Sequence, residues 1–413
     1  MAELIMAAQN GRVIPKEDKI FGISRRANEM IAEKGAEAVT NATIGALLDD
    51  NGKLMVLSSV DDTFGKLKPE EYASYAPIGG TPAFKKAVVK AALGKYEPKG
   101  FVEAVATPGG TGSIRNVIAN YTCFGDKVLT SDWFWAPYKT IAGEIGRGLA
   151  TFKLFNEERK FNVTDFAEKV NALLTVQERL VILLNTPAHN PTGYALTLED
   201  WNAVADVLRA VPAEKKVALF IDAAYIDFAG DEDEYRQFLP IVETMPANVL
   251  PVIGYSTSKT FTLYGARCGA AICLAPTAEI AEEFKICLEF SSRGSWSNCA
   301  KAGQSIIANI FADEELLAKV TEERKEIRDM LLRRGKAFEE EAAKVGLEMV
   351  PFDAGFFASI PCDNPDEVCA KLEQEGIFLV PLAMGIRVSV ASVSEEKCRM
   401  IPAKIVAAMN ALL

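Results

Sequence analysis

Between residues 127 and 274, short runs of aliphatic and β-branched residues alternate with longer stretches of helical periodicity, and this alternation constrains the fold more than any other feature. The runs 127–130, 150–155, 181–184, 217–221, 252–255 and 270–274 read as strands. Helical patterns separate them, as in 197–209, where Trp201, Val204, Val207 and Leu208 recur at the spacing of one helix face. Apolar strands joined through helices predict an α/β architecture, a mostly parallel sheet covered on both faces. In such sheets ligands bind beyond the carboxyl ends of the strands, so the residues just after each run are the candidate site.

The chain has 413 residues, more than one core usually organises, so two domains are expected. From about Asp313 the texture changes to a long charged amphipathic helix, read as a solvated face that bridges to a second unit. Strand-like GFFASIP, a helix near 365–375, the strand GIRVSVA and a last helix from Ser394 follow. These predict a smaller α+β domain of residues 1–52 and 326–413 beside a larger domain of residues 53–325.

Composition excludes several classes. A net charge of −11 argues against nucleic acid and anionic membranes as partners. No apolar run reaches the roughly 18 residues of a membrane helix. The opening residues hold Glu3 and Asn10 and lack a basic n-region, so no secretory signal is read there. Eight scattered cysteines without a CxxC pair predict reduced thiols in the cytoplasm. His189 is the only histidine, which removes His-rich metal sites and disfavours a Ser-His-Asp hydrolase; no metal is expected.

Four segments at strand ends carry chemistry. Residues 107–115, TPGGTGSIR, form a glycine-rich turn opening a helix, where backbone N–H groups and the Thr111 and Ser113 hydroxyls can cradle a phosphate. Residues 185–193, NTPAHNPTG, place Asn190 before Pro191, which favours an extended backbone there; His189 reads as a packed turn residue. Residues 220–225, FIDAAY, bring an acid out of an apolar strand, where an unpaired charge is costly. Residues 255–267, YSTSKTFTLYGAR, set hydroxyls, an amine and a guanidinium close together, and an enclosed lysine beside a cation becomes a nucleophile able to form a Schiff base.

Together these segments resemble the class I aminotransferases of pyridoxal-phosphate (PLP) fold type I, especially the aspartate and aromatic amino acid enzymes. The motif S-x-S-K-x-F-x-L-Y-x-x-R-x-G matches from Ser256 to Gly269, and HNPTG at 189–193 and D-x-A-Y at 222–225 follow the family order. The resemblance covers about residues 41–390. It implies that Lys259 holds PLP as an internal aldimine and shuttles a proton, that Asp222 pairs with the pyridinium nitrogen, and that Tyr225 and Asn190 bond the ring oxygen. Gly110, Thr111, Ser256, Ser258 and Arg267 would hold the phosphate, joined by Tyr75 of a neighbouring subunit in a homodimer. Trp135 would stack on the ring, with Trp133 as competitor.

On the substrate side the resemblance assigns Arg387 to the α-carboxylate, Gly45 to the lining of that pocket, and Arg293, across the dimer interface, to a side-chain carboxylate. It implies ping-pong transfer of an amino group from an aspartate-type or aromatic amino acid to a 2-oxo acid such as 2-oxoglutarate. Three places depart from the family pattern: Gly109, Cys299-Ala300 and the Leu-Leu pair at 47–48. A PLP-dependent C–S β-lyase or decarboxylase is the alternative within the same fold, and a PLP-sensing regulator a remote one.

Overall fold

The computed structural model describes residues 4–8, 14, 17–231 and 233–412. Much of the opening segment read for a secretory signal lies outside the described residues. The chain divides into two compact units, one of Val56–Pro187 and Leu196–Lys325, the other of Met1–Met55, Ala188–Ala195 and Glu326–Leu413.

A seven-stranded sheet organises the larger unit. Strands β1 (Phe101–Thr107), β2 (Lys127–Ser131), β3 (Gly148–Phe152), β4 (Arg179–Asn185), β5 (Lys216–Asp222), β6 (Val249–Ser256) and β7 (Gly269–Ala275) lie in the order β1-β7-β6-β5-β4-β2-β3. Only β7 runs antiparallel, to β1 and to β6; the other pairings are parallel. All positions of β6 are buried, as expected of a central strand covered on both faces. Ile114, Val117 and Ile118 of the helix Gly109–Tyr121 join Val105, Val128, Val181, Phe220 and Val252 in one core, each contributing roughly 1.5–3 kcal/mol by its burial. The helix expected at 197–209 spans Leu198–Arg209, started by Thr197 and Asp200 in a reciprocal capping box.

Two strand readings change. The expected strand 150–155 ends at Phe152, because the amides of Lys153 and Leu154 leave the ladder for the carboxylates of Asp165 and Asp132. β1 is absent from the sequence-based strand set: FVEAVAT carries Glu103 and three small or polar positions that mask its periodicity.

In the smaller unit, β8 (Phe357–Pro361), β9 (Val380–Leu382) and β10 (Gly385–Ser389) form an antiparallel sheet in the order β9-β10-β8. Ile360, Ile386 and Val388 of this sheet pack with Phe338, Leu372 and Ile401 from three helices. The long helix Glu314–Lys344 contributes residues to both units. Its charges are not all solvated, in contrast to the sequence reading. Arg334 is 1% exposed and donates to the carbonyls of Leu48 and Ala391 and to Asp50 Oδ1, so the guanidinium ties the 48–50 segment to the helix.

The segment Ala188–Ala195, expected in the larger domain, belongs to the smaller unit. The amides of Asp353 and Ala354 both donate to the Gly193 carbonyl, Ala195 N donates to Asp353 Oδ2, and Ser359 Oγ donates to Pro191 O. Phe352 packs against the bare Cα atoms of Gly193 and Gly335, where a Cβ would lie 2.2 Å and 2.5 Å from the ring.

Candidate active site

The register of the larger sheet places chemistry at strand ends. Asn185 pairs with Asp222 at the close of β4 and β5, Asp222 pairs with Gly254, and Ser256 closes β6 opposite Gly269. Asn185 Nδ2 donates to the Asp222 carbonyl at 2.8 Å, which fixes the backbone where the carboxylate emerges.

Asp222 is 7% exposed. Its Oδ2 accepts from Tyr138 Oη at 2.6 Å and its Oδ1 from the Ala224 amide at 3.3 Å. Burial raises its pKa to about 6, against the lowering pull of those two donors and of the Lys259 charge. Tyr138 is fully buried, and burial together with the neighbouring Asp222 pushes its phenol well above the ordinary range, so it acts as a neutral donor. Trp135 meets the Tyr138 ring edge-on at 5.6 Å and is partly exposed, whereas Trp133 is buried.

Lys259 lies in the short helix Thr257–Thr260, directly after β6, with its Nζ 4.8 Å from the Tyr264 ring centroid and 5.7 Å from that of Tyr225. Arg267 Nη1 donates to Ser258 Oγ at 3.1 Å and to the Tyr264 carbonyl. Gly109 has φ +69°, and a Cβ there would lie 2.5 Å from Arg267 Nη2. A side chain at 109 would thus displace the guanidinium. A Cβ on Gly110 would stand 3.5 Å from Ser256 Cβ, so this helix start adjoins the end of β6. Guanidinium, serine hydroxyls and a helix N-terminus make a donor set suited to a phosphate. Ser113 does not belong to it, contrary to the sequence reading. Its buried hydroxyl donates to Gly110 O at 2.6 Å, within its own helix.

The smaller unit carries its own constellation. Arg387, at the centre of β10, is 4% exposed. Its Nη2 donates to the Thr43 carbonyl at 2.8 Å, its Nη1 contacts Asn190 Oδ1 at 3.3 Å, and its Cζ stands 4.3 Å from the Phe357 ring centroid. A Cβ on Gly45 would meet Phe357 Cζ at 2.8 Å, so the glycine admits the ring that supports the guanidinium. Asn190 and His189 are buried, with His189 Nδ1 bonded to Thr192 Oγ1 inside the turn.

The model of the family described as "Aminotransferase class I and II" matches residues 37–405. The chain belongs to this aminotransferase family. The crystal structure of an aminotransferase from Anaerococcus prevotii is 38% identical with a TM-score of 0.95, covering 98% of this chain and 99% of that one. The cytoplasmic aspartate aminotransferase of Dictyostelium discoideum is 30% identical over 70% of this chain and 65% of its own length. An aromatic-amino-acid aminotransferase from Burkholderia pseudomallei, solved covalently bound to pyridoxal phosphate, is 22% identical with a TM-score of 0.79 over 98% of this chain and all of that one. At that identity the likeness shows the fold, the fold type I α/β architecture.

Within this aminotransferase the larger unit brings Asp222, Tyr225, Ser256, Ser258, Lys259, Arg267, Gly110 and Thr111 to adjoining strand ends, and the smaller unit joins Arg387, Asn190 and Gly45. Tyr75 and Arg293 are exposed to solvent in the single chain. Tyr75 is 90% exposed, and Arg293 is exposed with its Nη1 on Ser297 Oγ at 2.6 Å. The residue that sequence reasoning missed is Tyr138. Its signal was a tyrosine one turn beyond Trp135 at a helix start, but its partner lies 84 positions away.

Proposed function

We propose that the chain is a PLP-dependent aminotransferase that moves the amino group of aspartate or an aromatic amino acid to a 2-oxo acid such as 2-oxoglutarate in a ping-pong cycle. The observation that carries this reading is the buried Asp222 carboxylate, held by neutral donors in the same unit as Lys259 and the Ser258–Arg267 pair. A protonated ring nitrogen would give this carboxylate a directly bonded cation in addition to the longer-range Lys259 charge, and the donor set beside Gly109 suits the phosphate, so the residues fit PLP. When bound, PLP supplies an electron sink for the substrate Cα.

The chain's own groups supply the rest. Asp222 would keep the ring nitrogen protonated, while Tyr225 and Asn190 would hydrogen-bond the ring oxygen and Trp135 would stack on the ring. Ser256, Ser258, Thr111, the Gly110 amide and Arg267 hold the phosphate, with Tyr75 of a second subunit. Lys259 would anchor the cofactor, and its Nζ would also be the group that takes a proton from the substrate Cα and returns it. Arg387 grips the α-carboxylate with its fork. Arg293, from a second subunit, receives the side-chain carboxylate of a dicarboxylic substrate. We place the enzyme in the cytoplasm as a homodimer; among the described residues no helix is long and apolar enough to cross a membrane.

The test is the visible spectrum of the purified protein. A cofactor band that bleaches with aspartate and returns with 2-oxoglutarate is expected, and Lys259→Ala should fold yet lose turnover. A fully active Lys259→Ala variant, or no cofactor band after PLP is supplied, overturns the reading. Release of pyruvate or CO₂ in place of amino-group exchange would reassign it to a lyase or decarboxylase.

A further inference from the structure

We propose that Asp227 is a positioning residue that sets the place of Lys259 relative to Tyr225 through a buried hydrogen-bond cross-link to Thr260. The proposal rests on the assignment of Lys259 as the cofactor lysine. The motif matched around Lys259 leaves position 260 open, and the D-x-A-Y match stops at 225, so neither Asp227 nor Thr260 was marked by the resemblance.

The geometry is that of a clamp. Asp227 lies two residues past Tyr225, in the single turn Ile226–Phe228. Its Oδ2 accepts from Thr260 Oγ1 at 2.7 Å and from Tyr255 Oη at 2.9 Å, and its Oδ1 accepts from Arg236 Nη2 at 2.7 Å. Thr260 is the peptide neighbour of Lys259, and Tyr255 stands on β6 just before the Lys259 helix. One carboxylate therefore joins the segment bearing the Tyr225 phenol to the segment bearing the amine.

The anchor behind it is buried. Arg236, with a side chain 3% exposed, also donates to the carbonyls of Ala91 and Ala92, at the negative end of the helix Pro82–Leu93. Gly94, at φ +61°, lets it pass: a Cβ there would lie 2.8 Å from Arg236 Cδ. Burial alone would raise the Asp227 pKa, but Arg236 and Arg324 outweigh it and, with Thr260, bring it down to about 2, so the clamp stays charged across the working pH range. A hydrogen bond to a charged, buried acceptor is among the stronger ones, and it holds its partners in one geometry.

The groups facing Asp227 include Arg236, Arg324, Tyr255 and Thr260; those facing Lys259 include Tyr225, Tyr264 and the charge of Asp222. Removing the Thr260 hydroxyl changes the link and leaves the charge pair intact. Holoenzyme variants Thr260→Val and Thr260→Ser are compared with wild type by pH titration of the cofactor band and by the rate at which hydroxylamine releases the cofactor. Thr260→Val is expected to shift the titration midpoint, to speed hydroxylamine release and to lower kcat about tenfold with KM nearly unchanged, as expected for a misplaced reacting group. Thr260→Ser is expected to restore all three. Tyr255→Phe, which removes the second hydroxyl from the same oxygen, should shift the midpoint in the same direction. A Thr260→Val enzyme with wild-type midpoint and release rate overturns the proposal, even if it melts earlier. A wild-type protein with no cofactor band overturns instead the reading on which the proposal rests.

Discussion

Asp222 has a phenol, one amide and the Lys259 charge around it, so its ionisation is costly until a further cation joins it. Its pKa in the cofactor-free protein is about 6, and a bound pyridinium must lower it. Between the lowered value and 6, cofactor binding releases a proton, so affinity for PLP rises with pH up to about 6 and levels off above it. Equilibrium titration of the apoprotein with PLP from pH 5 to 8 checks this, with Asp222→Asn as reference. The difference between the two proteins should grow with pH and then flatten, since the phosphate titrates equally in both. Tyr138→Phe removes the 2.6 Å donor, so the Asp222 pKa should climb further and PLP affinity at pH 7 should fall about tenfold. An unchanged affinity would mean that the phenol only fills space. The acid, the lysine and the Arg267 guanidinium were legible because each sits beside a strand terminus: Asp222 closes β5, Lys259 follows β6 and Arg267 precedes β7. It did not show Tyr138 or Asp227, because their partners lie 84 and 33 positions away and no local pattern reports such a pairing.

Elements explain why the two constellations hold their geometry. The alternation of apolar runs and helices was enough to read the parallel core of the sheet, since β4, β5 and β6 are buried nearly throughout. β1 escaped because an edge strand with one half-exposed end keeps polar residues, and the allegiance of residues 188–195 escaped because it is decided by Asp353, Ser359 and Phe352, far along the chain. That turn carries Asn190 to the Arg387 guanidinium, so its attachment is testable. Phe352→Ala should cost about 3 kcal/mol in chemical denaturation, the range for a large aromatic truncated against tight neighbours. It should also raise the KM for amino acid substrates more than it lowers kcat, because it supports the groups proposed to bind the carboxylate. Loss of stability with an unaltered KM would show that the turn keeps its place without the ring. Gly109→Ala addresses the other constellation. With φ at +69° and Arg267 Nη2 2.5 Å from the new methyl, the variant should lose PLP affinity at least tenfold, measured by dialysis against limiting cofactor.

At the scale of the whole molecule, the proposal asks two chains to share their sites. The single chain leaves Tyr75 at 90% and Phe290 at 80% exposed, with Ile286 one turn before Phe290 on the helix Ala278–Ser295. Ile286 and Phe290, four positions apart, put exposed apolar surface on one helix face, and contiguous surface of this kind favours a partner. Arg293 follows on the same helix, which is why a contact there would carry it to a neighbour. Sedimentation should therefore give a dimer at low micromolar concentration, and Phe290→Glu should dissociate it. Sharing itself is decided by complementation. A Lys259→Ala subunit lacks the amine and an Arg293→Ala subunit lacks the distal guanidinium, so each homodimer should be poor with aspartate. In a mixed dimer, a site that takes Lys259 from one chain and Arg293 from the other has both. Random re-pairing makes about half the dimers mixed, each with one complete site, so about one quarter of wild-type aspartate activity should return. If Arg293 served the site of its own chain, mixing would restore nothing, because every site with an intact lysine would still lack the arginine. Phenylalanine as donor provides the internal control: it needs no distal guanidinium, so the Arg293→Ala homodimer should already transaminate it, and mixing should add little.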